Sequence, residues 1–354
     1  MELLLTHILE ALNPSGIFPK PLTLKQLAFP NPHTLEISVP MPLGRFDAQL
    51  SEKIKLRLQP IAPHLQIAFN IQIQSHRVQA GLQGVRAIKN IIAVGSGKGG
   101  VGKSTVALNL ALATQRLGAR VGILDADIYG PSLPLLTGNA TTPVLTPEKR
   151  LEPIIAFGLQ CMSIGNLVDT DAAMIWRGPM VSQALQQMLN DTLWSDLDYL
   201  FIDLPPGTGD IQLTLAQKVP LSGAVIVTTP QDLALVDAHR AIKMFEKVQV
   251  SLLGIVENMS VFICPHCHTH TSLFGTGGGA RLSQQDDVPL LGHIPLDLAL
   301  KEATESHLPI TYQHPEHPIS QAFEAIAFLM VTQLAAKEKN YAHHFSHIAV
   351  QPRS

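Results

Sequence analysis

Three sets of residues in this chain have the types and spacing to do chemistry. The first is Gly97, Gly102, Lys103 and Ser104, which fit G-x-x-x-x-G-K-[ST] inside the run GSGKGGVGKST. Glycines at these places let backbone N–H groups close around phosphate oxygens, the lysine reaches the β- and γ-phosphates, and the serine hydroxyl can ligate Mg2+. Gly97, Gly99, Gly100, Val101, Gly102, Lys103, Ser104 and Thr105 are therefore the candidate nucleotide-binding residues. The second set is acidic: Asp125 and Asp127 in LDADIYGPS, and Asp203 in FIDLPPGTGD. A carboxylate that ends an apolar strand beside a phosphate loop is the physical form of a Walker B site, with Asp203 holding Mg2+ through water. The third set is Cys264 and Cys267 in CPHCH. Thiolates so spaced can share one metal or cluster, although structural zinc and a four-iron cluster each take four ligands.

Three readings of the cysteine pair compete. A redox dithiol is the weakest, because the pair does not follow the early βα turn of thioredoxin-like proteins. A zinc site within one chain could be completed by His266, His268 and His270. If two subunits each supply Cys264 and Cys267 at a two-fold axis, four thiolates meet and a bridging cluster becomes possible. Cys161 lies in an apolar row and reads as a small core residue.

Strands and helices must hold these groups in place. Residues 91–94 read as a buried parallel strand, and Val106, Leu110, Ala113 and Leu117 continue as a helix that stops at Gly118. Further strands are expected at 120–125, 159–164, 199–203, 222–229 and 252–257, the last ending in Asn258, with helices over 176–189 and 232–247. Such an alternation predicts an α/β fold, a mostly parallel sheet with helices on both faces, whose ligands sit outside the carboxyl ends of the strands. That is where Asp125, Asp127 and Asp203 fall. Residues 137–152 read as a loop. Ahead of the sheet, a helix over 2–12, a strand over 33–39, a helix over 46–58 and a strand over 67–73 make a small α+β module with no acid/base cluster or cysteine of its own. The expected organisation is a docking or assembly module at 1–76, a polar linker at 77–89, an ATPase domain at 90–338 carrying the cysteine loop, and a tail at 339–354.

With 354 residues, 46% of them hydrophobic, the chain can bury a large core. Its formal charge of −3 supplies no bulk basic field for nucleic acid or an anionic membrane, and three cysteines do not make a disulfide framework. MELLLTHILEAL is no convincing signal peptide, and no stretch approaches the roughly 18 uninterrupted apolar residues of a spanning helix. A cytoplasmic protein with no nucleic-acid or membrane partner is expected.

The string GKGGVGKST resembles the deviant P-loop of the nitrogenase iron protein, MinD and ParA class. The resemblance implies a homodimer with nucleotides sandwiched between subunits, in which Lys98 reaches the partner's nucleotide and acts with Lys103 and Asp127 in catalysis. It further implies that Asp127 orients the attacking water, that Asp125 supports Mg2+, and that Asn258, in ENMS, contacts adenine. GKGGVGKST, LDADIYGPS, WRGPM, DLPPGTGD, ENMS and CPHC, in this order over residues 89–334, are similar to the Mrp (ApbC-type) family of iron–sulfur carrier ATPases. By that resemblance the protein hydrolyses ATP with Mg2+, holds a labile iron–sulfur cluster, of the 4Fe-4S type, between subunits, and exchanges it with apo-proteins and an assembly scaffold. A zinc-stabilised regulatory ATPase and a ParA/MinD-like positioning ATPase are the alternatives.

Overall fold

Successive positions of the central strands are apolar, so both faces of the sheet must be covered. The computed structural model describes residues 2–13, 17–167, 178–267 and 269–338. β4 (Ile88–Gly95), β5 (Val121–Asp125), β7 (Leu159–Ser163), β8 (Leu197–Asp203), β9 (Gly223–Thr228) and β10 (Leu252–Ile263) pair in parallel in the order β10-β9-β4-β8-β5-β7. β12 (Leu290–Leu296) runs parallel to β10, while β6 (Ile154–Ala156) and β11 (His270–Thr271) add antiparallel edges to β7 and β10. Tyr199 and Phe201 join Ile92, Val94, Val225 and Val227 on one face, and Leu200 and Ile202 join Ile91, Ala93, Ala224 and Ile226 on the other. That alternation is what a strand buried on both sides requires.

The first face is covered by α3 (Lys103–Arg116) and α11 (Pro318–Ala335), the second by α5 (Gly178–Asp191), α6 (Asp210–Lys218) and α7 (Asp232–Lys247). α3 has no broad polar face because α11 covers it on one side and the sheet on another. By length and composition α11 could cross a membrane, yet 56% of it is buried here. Within it, buried Glu324 pairs with Arg45 at 2.9 Å and with Arg116. This is the packing of a core helix.

α1 (Glu2–Leu12), β1 (Leu27–Asn31), β2 (Thr34–Val39), α2 (Phe46–Leu58) and β3 (Gln66–Ile71) build the first part of the chain around a sheet of order β1-β2-β3. The sequence pattern had no signal for β1, which contains Pro30. The strand tolerates it because β1 is an edge and its register shifts between Ala28 and Asn31. These elements share one hydrophobic cluster with α3 and α11. The Phe46 and Phe328 rings stack at 4.2 Å, and a Cβ at Gly44 (φ +50°) would lie 2.8 Å from the Leu117 Cα.

Residues 77–89, expected as a polar linker, are tied to the sheet: Gln79 donates to the Ala216 carbonyl at 2.7 Å and accepts from Leu221 N–H at 2.9 Å, and β4 begins at Ile88. One expectation changes. β10 does not stop at Glu257. It runs to Ile263 because β12 and then β11 go on supplying backbone partners, at Phe262↔Leu296 and Phe262↔Thr271.

Candidate nucleotide site and cysteine hairpin

The loop between β4 and α3 is shaped by close backbone approaches. A Cβ at Gly97 would come within 2.1 Å of the Asp237 carbonyl in α7, so only glycine fits there. Gly100 and Gly102 both have φ +79°, the left-handed region that glycine enters freely. The space beside Gly100 is open to 4 Å, whereas a Cβ at Gly102 would meet Asn258 Nδ2 at 2.3 Å. Val101 between them is buried, and Asn258 donates to its carbonyl at 2.8 Å. Gly99 is exposed, and Ser104 and Thr105 open the first turn of α3 half-buried. Lys98 is turned towards its own chain, its Nζ donating to Gln231 Oε1 at 3.3 Å.

Strand register gathers the acids. Asp203 pairs with Val94 on one side and Asp125 on the other, and Asp125 in turn pairs with Ser163. The Lys103 ammonium, itself buried, pairs with Asp203, lies 3.9 Å from Asp127 and donates to Ser104 Oγ at 3.3 Å. Asp125 accepts backbone N–H bonds from Asp127, Ser132 and Leu133 at 3.0, 2.9 and 3.0 Å, and the Ser163 hydroxyl at 3.0 Å. Its carboxylate thus shapes the turn that presents Asp127. Burial and the neighbouring Asp203 charge push Asp125 up to about 7, against the pull of those donors. Burial also raises Asp127, opposed by the Lys103 charge. An open glycine cradle, a buried ammonium and a row of carboxylates together suit a Mg2+–nucleotide.

The loop after β8 is tied to this cradle. Gly207 N–H donates to the Ser96 carbonyl at 2.9 Å, Leu204 N–H donates to the Val94 carbonyl at 3.1 Å, and Gln212 Nε2 donates to the Pro206 carbonyl. Gln212, Gln231 and Ser163 escaped the sequence reading. Of these only Ser163 carried a signal, as the last polar residue of an apolar strand.

Cys264 and Cys267 sit at the turn of a hairpin formed by β10 and β11, closed by Cys264 N–H donating to the Thr269 carbonyl at 3.1 Å. Cys264 is half-buried and Cys267 exposed. Cys267 Sγ lies 3.2 Å from the Thr269 hydroxyl, and bonds from Thr269 and Cys264 lower its pKa. Among the described residues no three His, Cys, Asp or Glu side chains gather to hold a metal; His268, one of the three histidines of the alternative zinc reading, is not among them. Trp176, Arg177, His268 and the tail lie outside the described residues. Cys161 is buried, its thiol pushed up to about 12 by burial.

Residues 87–331 match the model of the family described as ParA: NUBPL iron-transfer P-loop NTPase. The chain belongs to this family. A relative of this NTPase in Haemophilus influenzae, named an iron–sulfur cluster carrier protein, is 55% identical over 251 residues, 71% of this chain and 68% of that protein. A nucleotide-binding protein from Archaeoglobus fulgidus, solved in complex with ADP, is 40% identical, with a TM-score of 0.57 over 64% of this chain and 90% of that one. The cell division ATPase MinD from Pyrococcus furiosus shares the fold, at 23% identity and a TM-score of 0.53 over 68% of this chain and 98% of that one.

Proposed function

We propose that this NTPase is an ATP-hydrolysing carrier of iron–sulfur clusters that works as a homodimer in the cytoplasm. The observation that carries the proposal is that one strand, β10, bears both Asn258 against the phosphate loop and the hairpin with Cys264 and Cys267. The kinship with named iron–sulfur cluster carriers supports the cargo, and the ADP-bound neighbour supports the nucleotide.

The placement of these residues supports the following roles. The loop from Gly97 to Thr105 holds the phosphates, and Lys103 neutralises them. Ser104 and Asp203 would hold Mg2+, with Asp125 fixing the turn beside it. Mg2+ supplies charge stabilisation for the phosphoryl group. Asp127 orients water for attack on the γ-phosphorus, releasing ADP and phosphate, and the Asn258 Oδ1, buried without a partner, accepts from the adenine amine.

Each chain offers two thiolates, so a four-thiolate cluster site, here taken as 4Fe-4S, needs two chains. Tyr129, Leu135, Leu233, Val236 and Leu298 are exposed, and all lie in segments that follow the carboxyl ends of the parallel strands β5, β9 and β12. A second copy placed there covers this apolar rim and brings Lys98 towards the opposite nucleotide. The cluster is then passed between an assembly scaffold and apo-proteins, and two ligands per chain on an exposed turn make its release easy.

Anaerobic reconstitution with iron and sulfide tests this directly. The natural chain is expected to bind both in proportion to dimer, with visible charge-transfer absorption, and Cys264→Ala/Cys267→Ala to bind neither. Zinc bound to the monomer, without sulfide, would overturn the carrier reading.

A further inference from the structure

β10 joins the nucleotide site to the cysteines, and it is irregular between them. Met259, directly after Asn258, has φ +54°, a conformation that a long side chain occupies only when its surroundings impose it. The register of β10 on β12 shifts across the same place, between Asn258 and Phe262. Residues up to Glu257 are held on β9, whereas the part beyond the irregularity becomes the hairpin. On the near side Asn258 grips the Val101 carbonyl, and the Met259 Cε lies 3.7 Å from where a Gly102 Cβ would stand. On the far side the Ser260 hydroxyl donates to the Ile294 carbonyl at 3.2 Å, which steadies the base of the hairpin on β12.

We infer that Met259 is a positioning residue that relays the state of the phosphate loop to the cysteine hairpin; the inference rests on the carrier reading for its cargo, though not for its geometry. The Val101–Gly102 turn adjusts when phosphate enters or leaves. Asn258 and the Met259 side chain follow it, and the ladder is weakest at the irregularity, so the strand bends there. From Asn258 to Cys264 the extended chain spans about 20 Å, and a turn of about 10° at Met259 moves the thiols by about 3 Å. That exceeds a metal–thiolate bond of about 2.3 Å. Nucleotide state therefore sets how well two hairpins can share a cluster.

Amide hydrogen exchange of the hairpin, with and without Mg2+ and ADP, tests the relay in the full chain. Met259→Gln keeps a side chain of the same length, its terminal amide standing where the Met259 Cε stands. Met259→Gly takes the left-handed backbone without strain and has nothing to touch Gly102, and Met259→Asn, which also accepts that backbone, carries the test should the glycine variant fail to fold. In the natural and glutamine chains nucleotide is expected to change exchange at residues 260–272 by about fivefold or more, and in the glycine and asparagine chains by less than about twofold. ADP affinity stays within about threefold of the natural value in all of them. With reconstituted cluster, the ratio of release rates with and without nucleotide falls towards one in the same variants. A hairpin that responds as strongly in Met259→Gly or Met259→Asn as in the natural chain overturns the relay, as does a natural hairpin that does not respond. A natural chain that responds through Met259 yet takes up no cluster overturns the carrier reading and leaves the relay standing.

Discussion

Lys98 and Lys103 share one loop and have different partners. Lys103 is buried between Asp203 and Asp127, whereas Lys98 reaches across to Gln231. Substituting them should therefore separate two defects. Lys98→Ala is expected to bind ADP within about threefold of the natural affinity and to lose ATP-dependent dimerisation in analytical ultracentrifugation. A Lys98→Ala chain that still dimerises with ATP argues against an exchanged lysine. Asp127→Asn is expected to lower kcat about 10²–10⁴-fold with nucleotide affinity nearly kept, since it removes a group that positions water. Gly100 and Gly102 could be read from the chain because each answers a backbone requirement, a left-handed φ, within its own turn, whereas the reason only glycine fits at 97 lies across the structure in α7. Gln231 could not, because what matters about it is a distance across the sheet.

Elements explain why the acids sit where they do. At the carboxyl ends, Asp203 and Asp125 are neighbours through the pairing of β5 with β8. At the opposite end of β8, Asp198 pairs with Lys89 at 2.7 Å and accepts Arg120 N–H at 2.9 Å, locking together the starts of β4, β5 and β8. Burial alone would raise the Asp198 pKa, but the bonds from Arg120 and Lys89 outweigh it and leave it lowered. A carboxylate lowered on folding stabilises the protein above its unfolded pKa of about 3.9, and that stability is lost as pH falls through the folded value. Asp198→Ala should cost about 2–3 kcal/mol near neutrality, measured by urea unfolding. It should also flatten the decline of stability below about pH 4, and an unchanged acid limb would refute the role. β10 illustrates the limit of pattern reading, because its apolar run ends at Glu257 while the strand continues wherever a neighbour supplies hydrogen bonds.

For the whole molecule, the decisive feature is the junction at α11. Glu324, buried on that helix, is shared by Arg45 from the first part of the chain and Arg116 from the end of α3. A buried carboxylate with two cations is costly to leave half-partnered, so Arg45→Ala should destabilise the chain by about 1–3 kcal/mol. One hydrophobic cluster runs through both parts, and calorimetry of the natural chain should accordingly show a single unfolding transition. Two separable transitions would show that the parts fold apart. Because α3 begins at the phosphate loop and its end packs against Gly44, with Arg116 sharing Glu324 with Arg45, this junction also connects the first part to the nucleotide site.

The amino-acid sequence by itself determined the parallel sheet, the phosphate loop, the acid-ending strands and the cysteine pair. These are local signals, in which apolar runs, glycines and ligand spacing meet their requirements within a few residues. It also placed the helices Glu2–Leu12, Phe46–Leu58 and Asp232–Lys247 at the bounds they have. Three-dimensional packing alone settles that Asp125 serves the turn carrying Asp127, that Pro30 lies in an edge strand, that the first part of the chain shares a core with α3, and that β10 is irregular at Met259 between nucleotide and cysteines. Each of these depends on which strand lies beside which and on what covers a helix, and such long-range partners leave no periodic mark on the chain.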